Sequence, residues 1–385
     1  MSTQEVKGRV MFRNKRMAAG VAATAVLAIG LVAAGCGSSS NSSNTGGGGS
    51  STANKGGTIA LLLPETKTAR YESQDKPHFE NKVKALCPNC KIIYSNADQD
   101  AAQQQQQAEA ALTQGAKVLV LDAVDAASAG AIVQKAKAQK VPVISYDRLV
   151  TDAPVDYYIS FDNVRVGQLQ GQALAKKLKD DGNATGPIVM INGAPTDNNA
   201  KLFKQGATGA LNSAGIKVLK SYDTPDWSPD KAQNEMQQAI TAVGETGFNG
   251  VYAANDGTAG GAIAAMKSAG INSAQRPTTG QDAELAAIQR ILAGTQYMTV
   301  YKAIKPEAEQ AAQMAVDLVN GRKPPASLVK DKVDNGQLQV PSVLLTPVAV
   351  TKDNVKDTIV KDAFWTTNQI CTAAYAADCK AAGLT

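Results

Sequence analysis

Continuous apolar runs alternate along the chain with segments in which apolar positions recur every three or four residues. Residues 58–63 (TIALLL) form the first such run, the pattern of a parallel strand buried on both faces. Phe79, Val83 and Leu86 then fall at helical spacing. The pair repeats, with strands predicted over 91–94, 117–121 and 141–144 and helices over 100–114 and 126–139. The glutamine run 103–107 predicts a mostly solvated helix face. A strand over 157–161 ends in Asp162 and Asn163. The series then restarts with the helical stripe Val166, Leu169, Ala173, Leu174 and Leu178. Strands follow over 187–191, 216–220, 250–254, 278–280, 296–301 and 342–345, with helices over 197–213, after Pro229, after residue 256 and over 306–319. Gly257 to Gly261 (GTAGG) reads as a tight turn at a helix N-terminus, its backbone N–H groups aimed at a cleft. Strands alternating with helices predict an α/β fold with parallel sheets, and two series of similar size predict two lobes.

Ahead of this pattern stands a different one. Residues 1–16 are basic and polar, and 17–32 are apolar, ending in Ala33-Ala34-Gly35-Cys36. That run is short for a spanning helix, and its basic flank reads as an export signal. Small residues before a cysteine resemble the lipobox of bacterial lipoproteins, in which Cys36 would carry the lipid; the usual Leu is Ala33 here. Plain secretion is the alternative. The Gly/Ser/Asn-rich stretch 37–57 cannot bury a core and reads as a flexible tether.

The net charge of +5 comes mostly from this leader, so the exported part is nearly neutral and implies no nucleic-acid partner. One histidine, His78, excludes a multi-histidine metal site. There is no nucleophile elbow, phosphate loop or zinc spacing, and nothing points to a cofactor. Four cysteines remain after Cys36, an even number suited to two disulfides in an exported protein. Of three connectivities the local pairs Cys87–Cys90 and Cys371–Cys379 are favoured. A redox role for the first pair is the alternative, weakened because that pair is expected to end a helix rather than open one.

Planar polar side chains gather at the predicted strand ends: Asp147, Arg148, Asp162, Asn163, Asn255, Asp256, Gln281, Asp282 and Lys302. In open parallel sheets ligands sit beyond those ends. Groups of this kind bridge neighbouring hydroxyls, and Tyr71, Phe161 and Trp227 offer ring faces to sugar C–H groups. Surface ion pairs, and a core role for Trp227, are the plainer readings.

The strings YDR (146–148), YYISFDN (157–163), DNNAKLF (197–203), AANDGTAGGAI (253–263), the segment 280–302 and VPSVLLTPVAV (340–350) resemble the D-xylose-binding proteins of bacterial ABC importers, periplasmic binding proteins of the ribose and xylose type. The resemblance covers nearly all of 58–365. It implies a type I fold of two doubly wound parallel-sheet α/β lobes joined by three crossovers. It implies a signal over 1–35, a tether over 36–57, a first lobe of 58–160 and 303–335, and a second lobe with tail of 161–302 and 336–385. Asp147, Arg148, Asn199, Asn255, Asp282 and Lys302 would hydrogen-bond the sugar, with Asp162 and Asn198 as further contacts. Trp227 and Tyr71 would sandwich it, and Lys67 and Arg70 would line the first loop. Lys67 and Tyr71 depart from the Arg and Trp expected there. The implied protein is a non-enzymatic, monomeric, lipid-anchored carrier that passes xylose or a relative to an ABC permease and its ATPase. A sugar sensor feeding a chemoreceptor or kinase, an exported glycosidase and a sugar-responsive repressor are the rivals.

Overall fold

The computed structural model describes residues 56–384. The signal segment, Cys36 and the tether as far as residue 55 lie outside the described residues.

The first series runs β1 (Thr58–Leu63), α1 (Lys76–Leu86), β2 (Lys91–Asn96), α2 (Ala101–Thr113), β3 (Ala116–Leu121), α3 (Gly130–Ala138), β4 (Val143–Tyr146) and β5 (Tyr157–Phe161). The second runs α4 (Asn163–Asp180), β6 (Ile188–Asn192), α5 (Asn198–Ser213), β7 (Val218–Asp223), α6 (Pro229–Val243), β8 (Gly250–Ala253), α7 (Asp256–Ser268), α8 (Leu285–Leu292) and β9 (Met298–Tyr301). The chain continues through α9 (Ile304–Val319), β10 (Asp331–Asp334), β11 (Gln339–Leu345) and β12 (Val348–Thr351) to two short tail helices, α10 (Thr367–Ile370) and α11 (Ala376–Ala381).

The first sheet has seven strands in the order β10-β11-β5-β4-β3-β1-β2, all parallel except β10. Apolar side chains fill both of its faces, which is why its central strands read as unbroken apolar runs. In the second lobe β7, β6 and β8 are parallel, Thr278 bridges to Val251, and the Val300 N–H donates to Gly280 at 3.0 Å. That contact brings β9 alongside, and β12 closes the edge antiparallel to β9. The expected strand over 278–280 is thus a single bridge with flanking hydrogen bonds.

The chain crosses between lobes after β5, after β9 and after β11. The last crossing corrects the expected boundary. β11 pairs with β5 from Ser342–Tyr158 to Leu345–Phe161, so 336–345 belong to the first lobe and the crossing falls between Leu345 and Val348. α9 does pack on the first sheet, through Ala308, Ala311 and Ala315.

Two local readings are also corrected. Gln104 is buried inside the glutamine run, donating to Asp122 O at 2.7 Å and accepting from Val124 N at 2.9 Å. Gly257 to Gly261 lie within α7, not in a turn before it. A Cβ on Gly261 would sit 2.2 Å from the Pro229 carbonyl oxygen, so that glycine lets α7 approach α6.

Helix starts follow the expected chemistry. Asp100, Asp162, Asp197, Ser228 and Asn255 each cap a helix by accepting from a backbone N–H in its first turn. The disulfides are the local ones, Cys87–Cys90 between α1 and β2 and Cys371–Cys379 in the tail.

Candidate functional site

Seven segments from both lobes meet beyond the carboxyl ends of the strands. The loop after β1 brings Thr68, Arg70 and Tyr71, and the end of β4 brings Asp147 and Arg148. The start of α5 brings Asp197, Asn199 and, one turn on, Phe203. Trp227 comes from the turn before α6, Asn255 from the cap of α7, Gln281 and Asp282 from the loop before α8, and Lys302 from the end of β9. They surround about 260 Å³ free of protein atoms, a space that includes open solvent.

The site is charged on both sides, and its charged side chains are buried. Arg70 binds Asp75 through two nitrogens (2.9 and 2.6 Å) and Glu307 (2.7 Å), and lies 3.2 Å from Asp147. Lys302 lies 3.2 Å from Asp282 and 3.6 Å from Asp147. Arg148 lies 3.1 Å from Asp197 and donates to the Tyr71 hydroxyl at 3.1 Å. Burial alone would raise the Asp147 carboxyl, but Arg70, Lys302 and Arg148 pull it down to about 2. Burial outweighs the cations at Asp122, Asp197 and Glu307, which are raised and bind protons more readily. Such mixed, internally paired charge suits a neutral polar ligand better than an ion.

Gln281 Oε1 on the lining is buried without a hydrogen-bond partner, and Arg70 Nη1, Arg148 Nε, Asp147 Oδ1 and Asp282 Oδ1 make ion-pair contacts at 3.1–3.2 Å but no well-aligned hydrogen bond. Two are donors and three are acceptors. Such groups keep hydrogen-bonding capacity to spare, and a hydroxyl, which both donates and accepts, matches either kind.

Trp227 is held at the wall by an Nε1–H bond to Asp197 Oδ2 (3.1 Å) and an edge contact with Phe203 at 6.3 Å between ring centres. Its backbone is left-handed (φ 53°), as is that of Asp226. A Cβ on Gly193 would sit 2.0 Å from the indole, so only glycine leaves the ring its place. Tyr71 is buried with both arginines against its ring, at 5.3 and 5.7 Å.

Of the expected residues, Arg70, Tyr71, Asp147, Arg148, Asn199, Trp227, Asn255, Asp282 and Lys302 line the cavity. Lys67, Asp162 and Asn198 do not. Lys67 is exposed on the loop, Asp162 is exposed and caps α4, and Asn198 is half-buried at the start of α5. Asn199 uses its amide within the protein, donating to Asp147 O at 2.9 Å and accepting from Asn163 at 2.9 Å. Thr68, Asp197 and Phe203 are additional lining residues, and Gln281, expected among the polar groups at the strand ends, lines the cavity as well. Asp197 was detectable as an acid directly before a helical pattern.

Residues 59–323 match the family model described as periplasmic binding protein domain. The chain is 39% identical over 310 residues to the D-xylose-binding periplasmic protein of Escherichia coli, covering 80% of this chain and 90% of that one. It is 32% identical over 330 residues to the multiple sugar-binding periplasmic receptor of Rhizobium radiobacter, covering 82% and 92%. The fold superposes on an ABC transporter solute-binding protein from Clostridium phytofermentans with bound β-D-glucose, with TM-score 0.73 and 28% identity, covering 81% of this chain and 99% of that one.

Proposed function

The chain belongs to the periplasmic binding protein family, and on that premise we propose that it captures D-xylose, or a closely related monosaccharide, between its lobes and delivers it to the permease of an ABC transporter. Its relatives are exported sugar-binding proteins of such transporters, and they are not enzymes. The five donors and acceptors on the cavity wall that lack a well-aligned hydrogen bond carry the reading of the ligand, because the hydroxyls of a polyol both donate and accept. Xylose is favoured by the similarity to the E. coli protein. The roles follow from geometry. Asp147, Asp282 and Gln281 accept from hydroxyls, and Arg70 and Arg148 donate to them. Lys302 orients the two carboxylates, and Trp227 offers a ring face.

Titration calorimetry with xylose, ribose, arabinose, glucose and galactose tests this. Xylose should bind tightest. Glucose or galactose binding without xylose would keep the site and overturn the specificity; no binding of any monosaccharide would overturn the function.

A lipid on Cys36 is the proposed anchor, resting on the Ala-Ala-Gly-Cys junction after an apolar run. Cys36→Ala should release the protein from membranes. A mutant that stays lipid-labelled and processed rules the anchor out.

A further inference from the structure

The tail beyond β12 lies past residue 323, where the family match ends, yet it touches the turn that carries Asp282. Asp282 and Ala283 both adopt left-handed backbone, with φ of 90° and 51°, and neither is glycine. Two such residues in succession are unfavourable and persist only when their surroundings fix them. From inside the lobe the Asp282 N–H donates to Val300 O at 2.9 Å and the Ala283 N–H to the Thr299 hydroxyl at 3.2 Å. The Ala283 carbonyl is held from outside, by the indole N–H of Trp365 at 2.8 Å.

Trp365 is itself placed. Its ring meets Phe364 edge-on at 5.4 Å, and Phe364 meets Tyr301, the neighbour of Lys302, edge-on at 5.1 Å. The Phe364 carbonyl accepts from Gln74 at 3.4 Å, on the same turn that carries Tyr71 in the first lobe. Further along, Gln289 of α8 donates to Ile370 O at 3.1 Å, and the Cys371–Cys379 disulfide packs its buried Cys379 into the same apolar cluster as Ala283 and Tyr301.

We propose that Trp365 is a positioning residue for sugar binding, and that the disulfide-closed tail sets affinity by fixing the Asp282–Ala283 turn without touching the sugar. The inference rests on the sugar-binding reading of the site and on Asp282 as one of its contacts.

The experiment is calorimetry with D-xylose on the wild type, Trp365→Phe, Asp282→Asn, the double variant, and Ala283→Gly added to Trp365→Phe. Trp365→Phe should weaken binding by roughly tenfold, within the range for coupled neighbours, and have little further effect once Asp282 is Asn. Ala283→Gly should restore much of the loss, because glycine adopts the left-handed backbone without support. A tail that only stabilises the fold would give the same loss in both backgrounds and no rescue. Cys371→Ser with Cys379→Ser loosens the tail from a second point and should weaken binding in the same direction, whether or not Trp365→Phe folds. Wild-type affinity in both tail variants, or equal losses with and without Asp282, overturns the inference. Failure of the wild type to bind any monosaccharide overturns the function instead.

Discussion

Asp147 and Asp282 lie on either side of the Lys302 ammonium, and the carboxylate oxygen that each turns to it makes an ion pair but no well-aligned hydrogen bond. Asp282→Ala should therefore weaken xylose binding by roughly 1–3 kcal/mol, the cost of leaving buried hydroxyls unpaired. Trp227→Ala removes a ring face and its burial, which should cost a few kcal/mol, or about 100-fold in affinity. Calorimetry reads both, and unchanged affinity in both variants would mean that the site lies elsewhere. Below this layer Asp256 and Glu284 form a pair whose carboxyls burial pushes up to about 7 and about 8, against the pull of Arg290. In the unfolded chain both ionise near pH 4. The folded state thus holds more protons between roughly pH 4 and 8, so the pair's contribution is full below that window and is lost as pH rises through it. Glu284→Gln should flatten the fall in denaturant midpoint between pH 5 and 8; an unaltered slope would remove the pair as its cause. Most of the charged site was legible because planar polar groups stand at the ends of apolar runs. Lys67, Asp162 and Asn198 failed because a shift of one residue in a loop or helix turns a side chain to another face, as the contrast of half-buried Asn198 with buried Asn199 demonstrates.

α5 carries two glycines with opposite expectations. A Cβ on Gly206 would lie 2.1 Å from the Val164 carbonyl oxygen, where α5 meets α4, and one on Gly209 would meet nothing within 4 Å. Gly206→Ala should destabilise by roughly 1–3 kcal/mol or more, because backbone cannot give way as a flexible side chain does. Gly209→Ala should stabilise by up to ~1 kcal/mol through helix propensity alone. Chemical denaturation of the pair checks the sign at each position, and equal effects would contradict the packing. Elements such as these were readable from period: β1, β3 and α4 stand where apolar runs and stripes put them. What periodicity could not assign was partnership. β11 is an apolar run that would suit either sheet, and the resemblance placed it in the wrong lobe. β10, with the sequence DKVD, is a half-exposed edge strand whose charged residues mask it. The glycines of α7 look like a loop in sequence because close helix packing and tight turns select the same residue.

Across the whole molecule the two lobes already touch at the cleft. Arg148 meets Asp197 at 3.1 Å, the Asn199 amide donates to Asp147 O at 2.9 Å, and the Ala126 N–H donates to Thr196 O at 3.0 Å. None of these contacts needs a sugar, so they favour closure before binding. A sugar that bridges Asp147 and Arg148 on one side to Asp282 and Trp227 on the other adds to the same preference. Its apparent affinity then includes the fraction of molecules already closed. Asn199→Ala removes one protein–protein tie at the cleft while leaving the three crossings intact. In small-angle scattering without sugar, the variant should be more expanded than the wild type. Saturating xylose should bring both to the same radius, because the closed state keeps its other contacts. The variant should also need more xylose to get there, and at any one xylose concentration it should gain less in melting temperature, because its weaker Kd lowers RT ln(1 + [L]/Kd). Identical scattering of the two proteins without sugar would show that the Asn199 tie does not hold the lobes together. A variant that remains expanded at saturation would show instead that closure depends on that hydrogen bond rather than on the ligand.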